Sequence, residues 1–325
     1  MIRSTLNISV IITNYNYGAF LERAIESVLS QENVAVELII VDDGSTDNSH
    51  DIFQKYAHKA HIITQSNQGA CAARNAGLDV AKGTYIKFLD ADDWLVENTL
   101  HQEYKLALQL SDSTNSIIYG KAIWIDEEEV EKHINTSTTF ENGLVEISLE
   151  RIAEGAPITS APLHKKDLLN TVGGFDPRVK RAQEYDLHFR LALSGVRFFE
   201  HPNPVYFYRQ HGDPNRISAW SDATTGQSML QTTQRHLDSV NAAYEGDIPL
   251  VLKDALAKKI WHQGREAMQR GAKDTARQFI NLSKELSPNK NFSNSKLYIA
   301  VTSVFGLEIA EKLSKVRRSW YNLKK

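Results

Sequence analysis

The 325-residue chain has a single cysteine, Cys71. An intramolecular disulfide is therefore excluded, and such sparing use suits a reducing compartment. Cys71 lies in an alanine-rich helical run, which favours a buried structural thiol over a nucleophile. No stretch reaches ~18 uninterrupted apolar residues, so no membrane-spanning helix is expected. A strand pattern begins almost at once, at Ile8, and no signal peptide is expected before it. A net charge of -3 leaves no general nucleic-acid footprint. Two phosphate-binding signatures are missing as well. No Gly-x-Gly-x-x-Gly follows the first strand, and no Gly-x-x-x-x-Gly-Lys-Ser/Thr occurs anywhere, which removes most support for nicotinamide-cofactor and P-loop readings. The rest is ordinary for a globular protein, with 42% hydrophobic and 24% charged residues. The length points to one large domain with an appendage, and a cytoplasmic enzyme is expected.

The other elements are arranged around Tyr85-Ile86-Lys87-Phe88-Leu89-Asp90-Ala91-Asp92-Asp93-Trp94. Tyr85, Ile86, Phe88 and Leu89 have the bulk of a buried strand, and a helical pattern resumes only at about Val96. The acids thus stand at the carboxyl end of a strand, where open α/β sheets place their ligands. Two carboxylates one residue apart project to the same side of an extended chain. Their repulsion is relieved by a hard divalent cation, which prefers oxygen ligands. A solvated turn or helix cap is the alternative these residues leave open.

Upstream, Ile8-Ser9-Val10-Ile11-Ile12-Thr13 reads as a parallel strand covered on both faces. A helix follows over residues 20–29 and a second strand over 36–41, which ends in Asp42-Asp43-Gly44-Ser45-Thr46-Asp47. A helix over 47–58, a strand over 61–64 and a helix from Gln68-Gly69 to Ala81 lead into the central strand. Strand and helix alternate four times in about ninety residues, which defines a doubly wound α/β sheet. The strand ends carry Thr13, Tyr15, Asp42, Asp43, Asp90 and Asp92. Acids there can accept from a base N–H or ribose hydroxyls, but a diphosphate needs a metal between it and the carboxylates.

Downstream, residues 117–125 predict a strand, 126–142 a variable loop, and 156–163 an extended segment around Pro157 and Pro162. A short helix ends near Gly173-Gly174. A helix then begins near Gln183-Glu184-Tyr185-Asp186, whose acids suit its N-terminal dipole whether or not they do chemistry. Two further strands are expected over 196–200 and 205–208, before Arg209-Gln210-His211. From about Ser221 the pattern is helical, giving domains of 1–220 and 221–325. Residues 255–287 resemble one tetratricopeptide-type helical hairpin, which cannot bury its own apolar face and should pack on the sheet domain or a second subunit. Residues 297–325 form a basic amphipathic pattern ending near Trp320 and Tyr321. It suits either a packed terminal helix or peripheral contact with an anionic membrane.

Five blocks in this order resemble the inverting nucleotide-sugar glycosyltransferases of family 2. They are Val10-Ile11-Ile12-Thr13-Asn14-Tyr15-Asn16, Val41-Asp42-Asp43-Gly44-Ser45-Thr46-Asp47, Asn67-Gln68-Gly69 with Ala73-Arg74-Asn75-Ala76-Gly77, Asp90-Ala91-Asp92-Asp93, and Gly173-Gly174-Phe175-Asp176 with Glu184-Tyr185-Asp186-Leu187. The resemblance implies the GT-A fold, a doubly wound mixed sheet, with a C-terminal helical extension. It places Thr13, Asn14, Tyr15, Asp43, Gly69, Arg74, Asn75, Asp90 and Ala91 around the nucleotide. It makes Asp92 the direct ligand of Mn²⁺ or Mg²⁺, with Asp90 near the ribose or a metal-bound water and His211 a further candidate metal ligand. The general base falls on Glu184, where the family usually has Asp in a Glu-Asp-x-Asp pattern, and Asp186 competes for the role. The implied donor is a UDP-sugar, and the acceptor a carbohydrate, lipid-linked sugar or protein. A nucleotidyltransferase and a non-catalytic nucleotide-sugar scaffold are the rival readings.

Overall fold

β1 (Ile8–Asn14) buries Ile8, Val10, Ile11 and Ile12 completely, as a strand covered on both faces must. The computed structural model describes residues 7–111, 115–126, 143–210 and 223–293, with 295, 298, 301, 302, 306 and 308–314 beyond. α1 (Gly18–Leu29) follows and turns Leu21, Ala24, Ile25 and Val28 inward at helical spacing. β2 (Val36–Asp42), α2 (Ser49–Tyr56), β3 (His61–Thr64), α3 (Ala70–Val80) and β4 (Tyr85–Asp90) continue the alternation. β5 (Trp94–Leu95) is two residues long, and α4 (Thr99–Ser111) starts after it. β6 (Ser116–Ile125), β7 (Val145–Ile147), α5 (Leu149–Glu154), β8 (Pro162–Lys165), α6 (Lys166–Thr171), α7 (Gln183–Leu193) and β9 (Arg197–Arg209) follow. The helices α8 (Ala223–Ala243), α9 (Leu250–Gln269) and α10 (Lys273–Leu286) come last.

The strands join in one sheet of order β3-β2-β1-β4-β8-β6-β9-β5, with β7 also on β9. β3, β2, β1 and β4 run parallel, whereas β8 is antiparallel to both β4 and β6. The sheet is therefore mixed, with a parallel half that ends at β4. Register sets Thr13 beside Val41 and Asp90, and Asn14 beside Asp42. Polar residues at the ends of three neighbouring strands are thereby brought level.

Where two strands were expected over 196–208, the chain forms the single 13-residue β9. Pro202 and Pro204 lack the N–H that a ladder needs, which suggests a break in the sequence. The pairing absorbs them through register shifts between Tyr119, Lys121 and Ala122 on β6. Gly120 sits at that irregularity, and a Cβ there would lie 2.4 Å from Val205 Cγ1 and 2.6 Å from the Asn203 carbonyl.

Below the acid turn, Lys87 and Glu103 form a fully buried ion pair, with Lys87 Nζ 2.8 Å from Glu103 Oε2. The ammonium also donates to the Ala161 carbonyl at 2.8 Å, so one cation joins β4, α4 and the segment before β8. Burial lowers the lysine pKa and raises the glutamate's, each offset by the partner's charge.

The described chain divides into two compact units, one of Met1–Ser148, Ala156–Arg178 and Ala182–Pro214, the other of Leu149–Gly155, Val179–Arg181 and Asn215–Lys325. In the second unit α9 and α10 make the expected helical hairpin, with Ile260, Ala267, Ala276 and Phe279 at its seam. The apolar face that a lone hairpin leaves open is covered within the unit by Met229 and Leu230 of α8. Lys258 of α9 also pairs with Glu154 of α5 at 2.7 Å. Most of the basic residues of 297–325 lie outside the described residues. Lys312 is described, 3.1 Å from Glu308. Among the described residues no helix is long and apolar enough to cross a membrane.

Breaking a buried pair strands one charge, so Glu103→Gln should lower unfolding free energy by about 3–5 kcal/mol. The apolar double replacement Lys87→Met with Glu103→Leu should lose less. Urea denaturation of both variants checks this, and equal losses would refute the ion-pair account.

Candidate active site

The first side of the site is built by loops that the acids themselves hold in shape. Asp43 is buried, and its carboxylate accepts from the Gln68 and Gly69 main-chain N–H groups and from the Gln65 amide, each at 2.8 Å. Gly69 caps α3 at φ +90, and nothing lies within 4 Å of where its Cβ would be. That leaves the approach to the α3 N-terminus open. Asp42 takes the Ser45 N–H at 3.3 Å. Asn14, 1% exposed, donates to Ser45 and Ser49 at 2.9 Å, while its Oδ1 is buried without a partner among the described residues. Thr13 is half-buried beside these groups, and Tyr15 is 45% exposed.

The acid turn is the second side. Asp93 donates its N–H to the Asp90 carbonyl at 3.0 Å and closes the turn. Its own carboxylate is buried and accepts from Ser160 Oγ at 2.9 Å and the Arg209 N–H at 3.2 Å. Burial and then the charges of Asp92 and Asp90 push the Asp93 pKa well above the ordinary carboxylate range. The negative potential at this turn is concentrated, and Asp93 serves as a tie to β9. Ala91 is buried, while Asp90 and Asp92 are half-buried. Arg209 also donates to the Asp92 carbonyl at 3.2 Å and lies over the rings of Phe20 and Trp94.

Arg74 joins this turn to the third side. Its guanidinium is buried and donates to Asp90 Oδ1 and to Gln183 Oε1, both at 2.7 Å, and it lies over the Phe175 ring. Burial works against its charge, but Asp90 and then Glu184 raise its pKa. Asn75 spends its amide on Phe175, donating to the carbonyl at 2.8 Å and accepting its N–H at 2.9 Å. Gly174 passes so close that a Cβ would fall 2.6 Å from Asn75 Oδ1, and its φ is +66. Asn75 thus reaches the site through the Phe175 segment.

Gln183 opens α7 after Ala182, which holds a left-handed φ of 52. For an alanine that conformation costs roughly 1–2 kcal/mol, and such strain gathers at functional sites. Of the two acids that follow, Asp186 is buried and bound to Arg190, with Nη2 at 2.7 Å and Nε at 2.9 Å from one oxygen. Arg190 in turn holds the Val172 and Gly174 carbonyls. Glu184 is half-buried and lies in the field of both Arg74 and Tyr206.

Three contributors were not legible as site residues in the sequence: Ser160, Gln183 as the Arg74 acceptor, and Tyr206. Tyr206 is fully buried, and its hydroxyl has no hydrogen-bond partner among the described residues. His211 lies outside the described residues. Among the described residues no three His, Cys, Asp or Glu side chains gather as a ready-made metal cage. Asp90 and Asp92 nevertheless give an oxygen-only donor set, and such a set suits a hard divalent cation that completes its shell with substrate phosphates. The residues fit such an ion.

Residues 9–161 match the model of the family Glycosyl transferase family 2. An uncharacterized glycosyltransferase of Nostoc sp. (strain PCC 7120) is 33% identical over 233 residues, which cover 70% of this chain and 71% of that protein. The chain belongs to glycosyl transferase family 2 and is a glycosyltransferase that acts on nucleotide sugars. Its fold is that of S. aureus TarS 1-349, solved in complex with UDP-GlcNAc, at TM-score 0.68 and 16% identity over 96% of this chain and 92% of that one. The mannosyltransferase PcManGT of Pyrobaculum calidifontis, solved with GDP-Man and Mn2+, matches at TM-score 0.50 and 18% identity over 95% of this chain and 87% of that one.

Under Glu184, α7 rests on a buried histidine pair. His188 Nε2 lies 2.9 Å from His164 Nε2, and His188 Nδ1 lies 2.9 Å from the Pro157 carbonyl. That carbonyl only accepts, so His188 donates through Nδ1 and must accept from His164. Burial lowers the His188 pKa to about 4, and His164 is lowered well below its ordinary value. A folded pKa below the unfolded one means that the unfolded chain binds the proton first as pH falls. Stability is then complete above about pH 6.5 and declines toward pH 4, by on the order of 3 kcal/mol for His188 alone. Urea denaturation at about pH 7 and about pH 4.5 should show that decline, and His188→Asn should flatten it. An unchanged slope in that variant would assign the acid sensitivity elsewhere.

Proposed function

We propose that this enzyme is an inverting transferase that moves a sugar from a nucleoside diphosphate, UDP by resemblance, to an acceptor hydroxyl in polysaccharide or glycoconjugate synthesis. The observation that carries the reading is the unequal state of the two acids on α7. Asp186 is committed to Arg190, whereas Glu184 stands half-buried at the helix start beside Arg74. A base must be able to reach the proton it removes, and the half-buried Glu184 is more accessible than Asp186, which is buried against Arg190. Glu184 is therefore assigned as the base, and Asp186 as the group that fixes its helix.

Asp92, with Asp90, would hold Mn²⁺ or Mg²⁺, which supplies Lewis-acid stabilisation of the departing diphosphate. Asp43 and Gly69 shape the loop that receives the nucleoside, with Thr13 and Tyr15 beside it. Arg74 keeps the Asp90 carboxylate aimed and adds fixed positive charge where negative charge develops. As the bond from C1 to the diphosphate oxygen breaks, C1 takes on oxocarbenium character, as in glycoside hydrolysis. The acceptor oxygen attacks from the opposite face while Glu184 takes its proton. One displacement inverts the anomeric centre and leaves no sugar attached to the enzyme.

Two substitutions test this. Glu184→Gln should lower turnover by about 10²–10⁴-fold while nucleotide-sugar affinity stays near wild type in calorimetry. Full activity would transfer the base role to another group. Asp92→Asn should weaken Mn²⁺-dependent nucleoside diphosphate binding by calorimetric titration. An unchanged metal requirement would remove Asp92 as a ligand.

A further inference from the structure

Trp124 is 55% exposed on β6, although its neighbour Ile125 is completely buried. It is paired in register with Tyr208 of β9, and their ring centroids are 4.4 Å apart at 51°. Tyr208 in turn meets Tyr206 two residues back, at 6.5 Å and nearly edge-on at 79°. Alternation along a strand puts Tyr206 and Tyr208 on one face, and the ring contact puts Trp124 on that face as well. The three rings make a row that begins buried and ends in solvent.

The inner end of the row lies at the chemistry. The Tyr206 hydroxyl is a buried donor with no partner among the described residues, a costly state unless an acceptor arrives. Burial, then the charges of Asp93, Asp90 and Glu184, keep the phenol protonated. It can therefore donate to a substrate oxygen. Arg209, the next residue after Tyr208, donates to the Asp93 carboxylate and the Asp92 carbonyl, so β9 ties the row to the acid turn.

Strand order supplies the direction. The residues assigned to the nucleotide stand at the ends of β1 and β2 and at the start of α3, on one side of β4. β6 and β9 lie on its other side. The acid turn falls between the two halves. A ligand on the row is separated from the nucleoside by the reacting centre, which is the position an acceptor must take. The rings also fit the chemistry of a sugar. A pyranose presents a face of polarised C–H groups that complements the negative face of an indole, and its hydroxyls stay outward for polar contacts.

We propose that Trp124 and Tyr208 form an acceptor subsite, with a pyranose ring of the acceptor laid on the open face of Trp124 and its nucleophilic hydroxyl directed toward Tyr206. The inference rests on the transferase reading above and names its acceptor class, a carbohydrate, over a protein side chain.

The test uses the full chain with Mn²⁺, a panel of nucleotide sugars, and the methyl α- and β-glycosides of glucose, galactose, mannose and their N-acetylamino forms. Saturation-transfer NMR should show protons of one pyranose face in contact with aromatic protons, and Trp124→Ala should abolish the signal. In steady-state kinetics that variant should raise the acceptor KM about tenfold, the scale of a lost ring contact, and leave the donor KM where it was. Trp124→Phe should restore most of the difference. A wild-type saturation signal in Trp124→Ala, or no glycoside signal from the native protein, overturns the subsite. Absence of nucleoside diphosphate release from every donor overturns the transferase reading instead, because the NMR contact is read without turnover.

Discussion

One buried guanidinium joins three elements of the candidate site. Arg74 belongs to α3, yet its partners are the end of β4 through Asp90 and the start of α7 through Gln183. A cation this deep is tolerable only with compensation, and the compensation comes from groups with work of their own. The acid turn and the start of α7 are thereby tied to one point. Fixed charge of this kind needs little reorganisation as the reaction proceeds, which is where electrostatic catalysis gains most.

The acids divide by burial. Asp42, Asp43, Asp93 and Asp186 are buried and spend their oxygens on main-chain N–H groups, Ser160 or Arg190. Asp90, Asp92 and Glu184 are more open. The first set shapes loops, and the second faces the opening. A cluster that looks uniform as text is a set of buried carboxylates that hold loops, with a smaller, more exposed group beside it.

The parallel half of the sheet was legible because its signals are local. β1 through β4 are short apolar runs closed by Asp, Asn and Gly, and each falls within a residue or two of its expected place. β9 was not legible as one strand. Its prolines argue for a break, and only the bulged pairing with β6, some eighty residues away in sequence, overrides them. Ser160 and Tyr206 were hidden for the same reason. A serine between two prolines and a tyrosine in an apolar strand have no local oddity, and their meaning comes from Asp93 and Asp90 across 67 and more residues of chain. The cover over the α9–α10 hairpin likewise comes from α8, whose Met229 and Leu230 do not announce their partner.

Gln183 shows how a departure from the usual pattern has physical content. Where Glu would be the ordinary residue, the amide of Gln183 gives Arg74 a neutral acceptor at 2.7 Å. A second carboxylate there would share the guanidinium with Asp90 and weaken the grip on the acid turn. It would also add negative charge beside Glu184. With Gln at 183, Asp90 keeps the guanidinium's charge-assisted bond, and the Glu184 charge also acts on Arg74. The side chain of Glu184, one methylene beyond the usual Asp, would extend the proposed base from the same backbone position.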